Sequence, residues 1–148
     1  MLTNFKAMDL IYRINDFFDD YLKAWLSFNA KSLAHCYDLP CSFLSDDSYT
    51  AFTNAAQLEG FFAQGLAFYK QNGIAGVSVD IRSKERLTTQ TIKVKLTWQY
   101  YDKAGEWLYD CTYYYIIRSD AAGHLKIAVA ISVDEKEKLE AWLQSKSS

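Results

Sequence analysis

The sequence predicts an α+β fold, with helices gathered at the start of the chain and an antiparallel sheet after them. Three observations predict it. Apolar residues first recur at three- and four-residue steps, at Leu10, Ile14, Phe17, Tyr21, Trp25 and Phe28, the spacing of one helix face. From Val77 onward the period changes to two, with Val77, Val79 and Ile81 alternating with Ser78, Asp80 and Arg82. Two long alternating arms then flank a short turn between Thr91 and Arg118. One carries Ile92, Val94, Leu96, Trp98 and Tyr100; the other carries Trp107, Tyr109, Cys111, Tyr113, Tyr115 and Ile117. Strict alternation means one buried face and one wetter face. The buried face holds two Trp and four Tyr, so it is apolar yet rich in polar tips, which suits the wall of a cavity.

The elements follow in order. The first helix spans Met8 to Phe28, with Asp9, Arg13, Asp16, Asp20 and Lys23 on its outer side. Asn29 is an N-cap and opens a short helix over Ala30 to Tyr37, with Leu33, Ala34 and Tyr37 inward. Pro40 ends any helical continuation. Cys41 to Leu44 reads as a strand, Asp46-Asp47-Ser48 as a turn and Tyr49 to Thr53 as a second short strand. Asn54 with Gln57 resembles a capping box and starts a third helix, Ala55 to Gln71. Its inner face is Leu58, Phe61 or Phe62, Gly65, and Phe68 or Tyr69. Asn72-Gly73 supplies the left-handed exit. A reversal near Thr88-Thr89 leads into the aromatic pair, which turns at Asp102 to Gly105. That turn pairs Trp98 with Tyr109 and Val94 with Tyr113. A last strand, Leu125 to Val133, follows a turn at Gly123. A C-terminal helix over about residues 134–145 is capped by Ser132 or Asp134 and carries Leu139, Trp142 and Leu143. Residues Met1 to Ala7 and Ser145 to Ser148 read as loose ends.

Length and composition narrow the function. The 148 residues fit one domain, 1–148, with its core at about 8–133. Net charge is −2, and the one charge-rich stretch, Asp134 to Glu140, mixes signs. Nucleic-acid binding lacks its electrostatic footprint, despite the Tyr113-Tyr114-Tyr115 run. Cys36, Cys41 and Cys111 show no metal or redox spacing, so neither a metal nor another cofactor is expected. With no secretory signal and no membrane-length apolar run, a reduced, cytoplasmic protein is expected.

Several stretches resemble the nuclear transport factor 2-like superfamily, which includes ketosteroid isomerase and the SnoaL-like polyketide cyclases. They are Tyr21-Leu-Lys-Ala-Trp25 followed by Asn29, Leu33 and Tyr37; the helix around Leu58-Glu-Gly-Phe61-Phe62; and the hairpin around Gly123-His-Leu-Lys-Ile127. The resemblance covers Met8 to Val133. It implies a strongly bent antiparallel sheet wrapped around three N-terminal helices, a cone whose wide end holds a pocket. It also implies dimerisation through the outer sheet face. That face would present Thr97, Gln99, Thr112, Tyr114 and Ile116, and with an even last hairpin also Ile127, Val129 and Ile131. Ala128, Ala130 and Ser132 would then face inward. A bulge would reverse that assignment.

The expected pocket wall is Tyr21, Trp25, Phe62, Trp98, Tyr109, Cys111 and Tyr113, suited to a small apolar or aromatic ligand. The residues offer no firm catalytic set. Asp38 lies before the Leu39-Pro40 break. Asp110 is the one mid-strand acid of the central pair, with parity turning it away from Trp98 and Tyr109. His35 and His124 are the two histidines, and His35, on the second helix, is the better candidate for acid/base work. Asp46 and Asp47 read as turn residues. Three functions stay open: a small-molecule binder, an acid/base enzyme resembling the isomerases or cyclases, and an interaction module using the outer face.

Overall fold

The computed structural model describes residues 2–146, with side chains from Leu10 onward. Helix α1 (Leu2–Leu26) is followed by α2 (Ala30–Ala34), β1 (Tyr37–Ser45), β2 (Ser48–Phe52), α3 (Ala55–Gln71), β3 (Gly76–Thr88), β4 (Thr91–Tyr101), β5 (Trp107–Ser119), β6 (Leu125–Ser132) and α4 (Glu135–Lys146). The α+β class stands. The six strands form one sheet in the order β2-β1-β6-β5-β4-β3. Four of its pairings are antiparallel, and β1 runs parallel to β6. Every pairing except β1–β2 contains a bulge or register shift. Bulges bend a sheet and increase its twist, and here the bent sheet meets α1, α2 and α3 around one core.

Local signals explain most boundaries. Asn29 Oδ1 accepts from Ser32 N at 3.0 Å, and Asn54 Oδ1 from Gln57 N at 2.9 Å, so both helix starts are capped by side chains. Gly73 takes the left-handed conformation at φ +78° and releases α3 toward β3. Asp102 Oδ1 holds the β4–β5 turn by accepting from Ala104 N and Glu106 N. Asp120 does the same for the β5–β6 turn through Ala122 N and His124 N.

Five expectations are corrected. Residues 2–7, read as loose, are the opening turns of α1, and α4 continues to Lys146; Met1, Ser147 and Ser148 lie outside the described residues. The second helix ends at Ala34, and Tyr37 starts β1 rather than closing a helix. Pro40 therefore lies within a strand, between the points where β1 pairs with β6, a place where a missing N–H breaks no ladder. Phe18, not Phe17, is the fully buried phenylalanine of α1, at 0% exposure. Its ring meets Tyr21, Trp98 and Tyr115.

The fourth correction is register. Trp98 pairs with Cys111 and Val94 with Tyr115, two residues from the expected partners. An even slip leaves every side chain on its face, so the inward set of β4 and β5 survives. A bulge between Tyr100 and Tyr101 breaks parity only at the end, where Trp107 pairs with Tyr101. Trp107 is consequently exposed rather than part of the wall.

The fifth concerns β6. A bulge opposite Ile116 and Ile117 pairs Ile117 with Ile127 but Ile116 with Val129. Ile127 is therefore fully buried in the core and does not belong to the outer face. Val129 and Ile131 stay beside Ile116 and Tyr114 on the outer side. Ala130, opposite Tyr115, is inward and buried.

Candidate functional site

The bent sheet and helices do not fill their interior. Between them lies a cavity of about 410 Å³, within the ~300–1,000 Å³ typical of small-molecule sites. Helix α1 lends Tyr21 and Trp25, β1 lends Tyr37 and Phe43, and β4 and β5 lend Trp98, Tyr100, Tyr113 and Tyr115. Helix α3 forms the opposite side with Phe62, Gly65, Leu66 and Tyr69. Phe61, Gln64 and Phe68 both line the cavity and reach solvent, so its mouth lies along α3. A Cβ placed on Gly65 would have no atom within 4 Å, and this glycine leaves open space on the wall.

Aromatic rings dominate. Tyr21 stacks on Trp98 with centroids 5.4 Å apart, and Tyr69 stacks on Tyr100 at 5.5 Å. Trp25 lies 5.4 Å from Tyr69 and 6.2 Å from Tyr100. Offset and tilted pairs at these distances are favourable beyond their buried area.

Two polar poles interrupt this apolar surface. At one, the Tyr21 and Tyr37 hydroxyls share a hydrogen bond of 2.9 Å, and Trp98 Nε1 donates to the Tyr115 hydroxyl at 2.9 Å. Burial is the main reason these phenols titrate far above the ordinary tyrosine range.

The other pole is Glu135, the first residue of α4 and, among the described residues, the only charged side chain lining the cavity. Its Oε1 accepts from the Tyr113 hydroxyl at 2.8 Å. Its Oε2 accepts from Tyr69 and Tyr100, each at 3.3 Å, and from the Cys111 thiol at 3.8 Å. A helix N-terminus favours a carboxylate at this position. Burial holds the Tyr69, Tyr100 and Tyr113 hydroxyls well above their ordinary value, and the negative charge of Glu135 adds to it. They therefore remain protonated donors across the physiological range.

Of the residues expected at the site, Tyr21, Trp25, Phe62, Trp98 and Tyr113 line the cavity. Tyr109 and Cys111 stand behind the wall: Tyr109 is sandwiched between Tyr100 and Trp142, and the Cys111 thiol donates to Glu135 Oε2 at 3.8 Å. The Tyr109 hydroxyl is buried with no hydrogen-bond partner among the described residues.

The three catalytic candidates lie away from the cavity. Asp38 pairs with Arg118 at 2.5 Å, Asp110 with Lys138 at 3.1 Å, and His35 caps α2 with an exposed side chain. Asp47, in its turn, pairs with Lys136 at 2.9 Å.

Glu135 was missed, although a signal existed. Ser132-Val-Asp-Glu135 matches the capping-box pattern, in which the glutamate turns back onto its own helix start. Half of that motif forms, with Glu135 N donating to Ser132 Oγ at 3.3 Å. The carboxylate instead enters the cavity, where three phenols outcompete one backbone N–H.

A family model described as NTF2-like protein (DUF6841) matches residues 9–135. No curated protein matches the sequence. Among solved structures, a domain of unknown function with a cystatin-like fold from Nostoc punctiforme superposes with a TM-score of 0.67 at 13% identity, over 92% of this chain and 83% of that one. An NTF2-like protein from Shewanella oneidensis superposes at 0.63 and 13% identity, over 84% and 98%. A ketosteroid isomerase-like protein from Erwinia carotovora atroseptica superposes at 0.59 and 13% identity, over 81% and 92%. At such identities the likeness shows a shared fold and nothing finer. No helix among the described residues is long and apolar enough to cross a membrane.

Proposed function

This chain belongs to the NTF2-like family DUF6841, and from that premise we propose that its cavity binds a small, flat, largely apolar molecule. One observation carries the reading: a cavity of about 410 Å³ walled by aromatic rings is interrupted by a carboxylate that three wall tyrosines orient. Apolar walls supply most of the affinity, and a few placed polar groups fix the ligand's orientation. The neutral fluorescent probe N-phenyl-1-naphthylamine tests this. Its emission should rise with the wild-type protein and stay flat with Gly65→Leu, which fills the space beside α3 without touching Glu135. Equal enhancement with both proteins would remove the reading.

A second reading rests on the 2.8 Å contact between Tyr113 and Glu135. An acid beside a protonated phenol supports general acid/base chemistry on a flat apolar substrate. Glu135 would exchange the proton, with Tyr113 holding its carboxylate in place. Hydrogen–deuterium exchange at the carbon beside the carbonyl of a cyclic ketone, followed by NMR in deuterium oxide, tests it. Exchange no faster than with Glu135→Gln excludes this chemistry for that class.

A further inference from the structure

The polar atoms around Glu135 divide unevenly between donors and acceptors. Tyr69, Tyr100 and Tyr113 each spend their single O–H on the carboxylate, so their oxygens offer only lone pairs to anything else. Oε2 already accepts three contacts, whereas Oε1 accepts one. A carboxylate oxygen with one donor keeps acceptor capacity. These three phenols thus present acceptors and no spare donor.

Charge points the same way. No Lys, Arg or His among the described residues lines the cavity, and Glu135 is its one formal charge. Aromatic ring faces carry negative quadrupole density, which attracts cations and repels anions, and Trp25 and Tyr69 line the cavity. An anionic head would meet the Glu135 charge with no lining cation to offset it.

We propose that the ligand carries a protonated amine on its flat apolar body, with the ammonium donating to Glu135 Oε1 beside the Trp25, Tyr69 and Tyr100 rings. This rests on the cavity being a ligand site.

Calorimetric titration with three probes of similar shape tests it: 2-phenylethylamine, 2-phenylethanol and 3-phenylpropanoate. The amine should bind at least tenfold more tightly than the carboxylate, and more tightly than the alcohol. Glu135→Gln should reduce the amine's affinity about tenfold and leave the alcohol's within twofold. If the carboxylate binds as tightly as the amine, or if Glu135→Gln leaves the amine-to-alcohol ratio unchanged, the amine assignment fails. Should that happen while N-phenyl-1-naphthylamine still binds wild type and not Gly65→Leu, the cavity reading survives. Absence of binding by the naphthylamine and all three probes overturns both.

Discussion

The Tyr113 hydroxyl donates to Glu135 Oε1 at 2.8 Å and so joins the middle of β5 to the first turn of α4. Tyr69 of α3 and Tyr100 of β4 reach the same carboxylate. One side chain from the last helix therefore ties three elements together at the cavity wall.

Removing that acceptor should be felt as stability. Glu135→Leu strands three phenolic donors, and loss of a shared, half-buried acceptor costs about 1–3 kcal/mol. Glu135→Gln retains an acceptor oxygen and should cost less. Urea unfolding of the two variants beside wild type checks the order; equal stabilities would mean that the cluster contributes nothing to folding.

Tyr109 and Tyr113 should respond oppositely to loss of their hydroxyls. The Tyr109 hydroxyl is buried without a partner, so Tyr109→Phe removes a desolvated group and should be neutral or stabilising by up to about 1 kcal/mol. Tyr113→Phe deletes a 2.8 Å hydrogen bond to a carboxylate and should destabilise by about 1–3 kcal/mol. A common sign for both changes in thermal unfolding would contradict the hydrogen-bond assignment.

Alkaline pH should unfold the protein early. Burial pushes the Cys36 and Cys41 thiols from 9.0 to about 11 and drives the cavity tyrosines upward from 10.0. Raised folded-state values mean the native state holds protons that the unfolded chain releases. The associated stability is fully present below about pH 9 and is lost as pH climbs through about 11. Unfolding free energy measured from pH 7 upward should fall above about pH 9, and a rising curve there would reverse the sign.

The two phenylalanines of α1 should separate. Phe18 is fully buried against Tyr21, Trp98 and Tyr115, and Phe18→Ala should cost about 3–5 kcal/mol. Phe17 is only half-buried, so Phe17→Ala should cost clearly less. Denaturant midpoints in the reverse order would show that the helix is rotated.

We also propose that the outer sheet face pairs with a second copy of the chain through Thr112, Tyr114, Ile116 and Val129, on the strands where Ile131 joins them. Contiguous apolar residues on an outer face suit such a partner. Light scattering at micromolar concentration should give a dimer mass for wild type and a monomer mass for Ile116→Glu. A monomeric wild type would overturn this pairing.

The fold class was legible because its signals are local. Helical spacing from Leu10 to Trp25, the Asn29 and Asn54 caps, and the alternation from Ile92 to Ile117 each depend on neighbours a few residues apart. The inward face of β4 and β5 even survived a two-residue error in register, because side chains alternate with period two.

What the residues determined by themselves was therefore the order of elements and an aromatic inner face. Tertiary structure decided everything that hangs on one extra residue or on distant docking. A single bulge sent Ile127 inward while Val129 stayed out. Asp38 and Asp110 were claimed by Arg118 and Lys138, 80 and 28 residues away. Glu135 left a local capping pattern for tyrosines up to 66 residues distant. Local spacing cannot rank a backbone cap against three phenols, because only the docking of α4 onto β5 brings the phenols within reach.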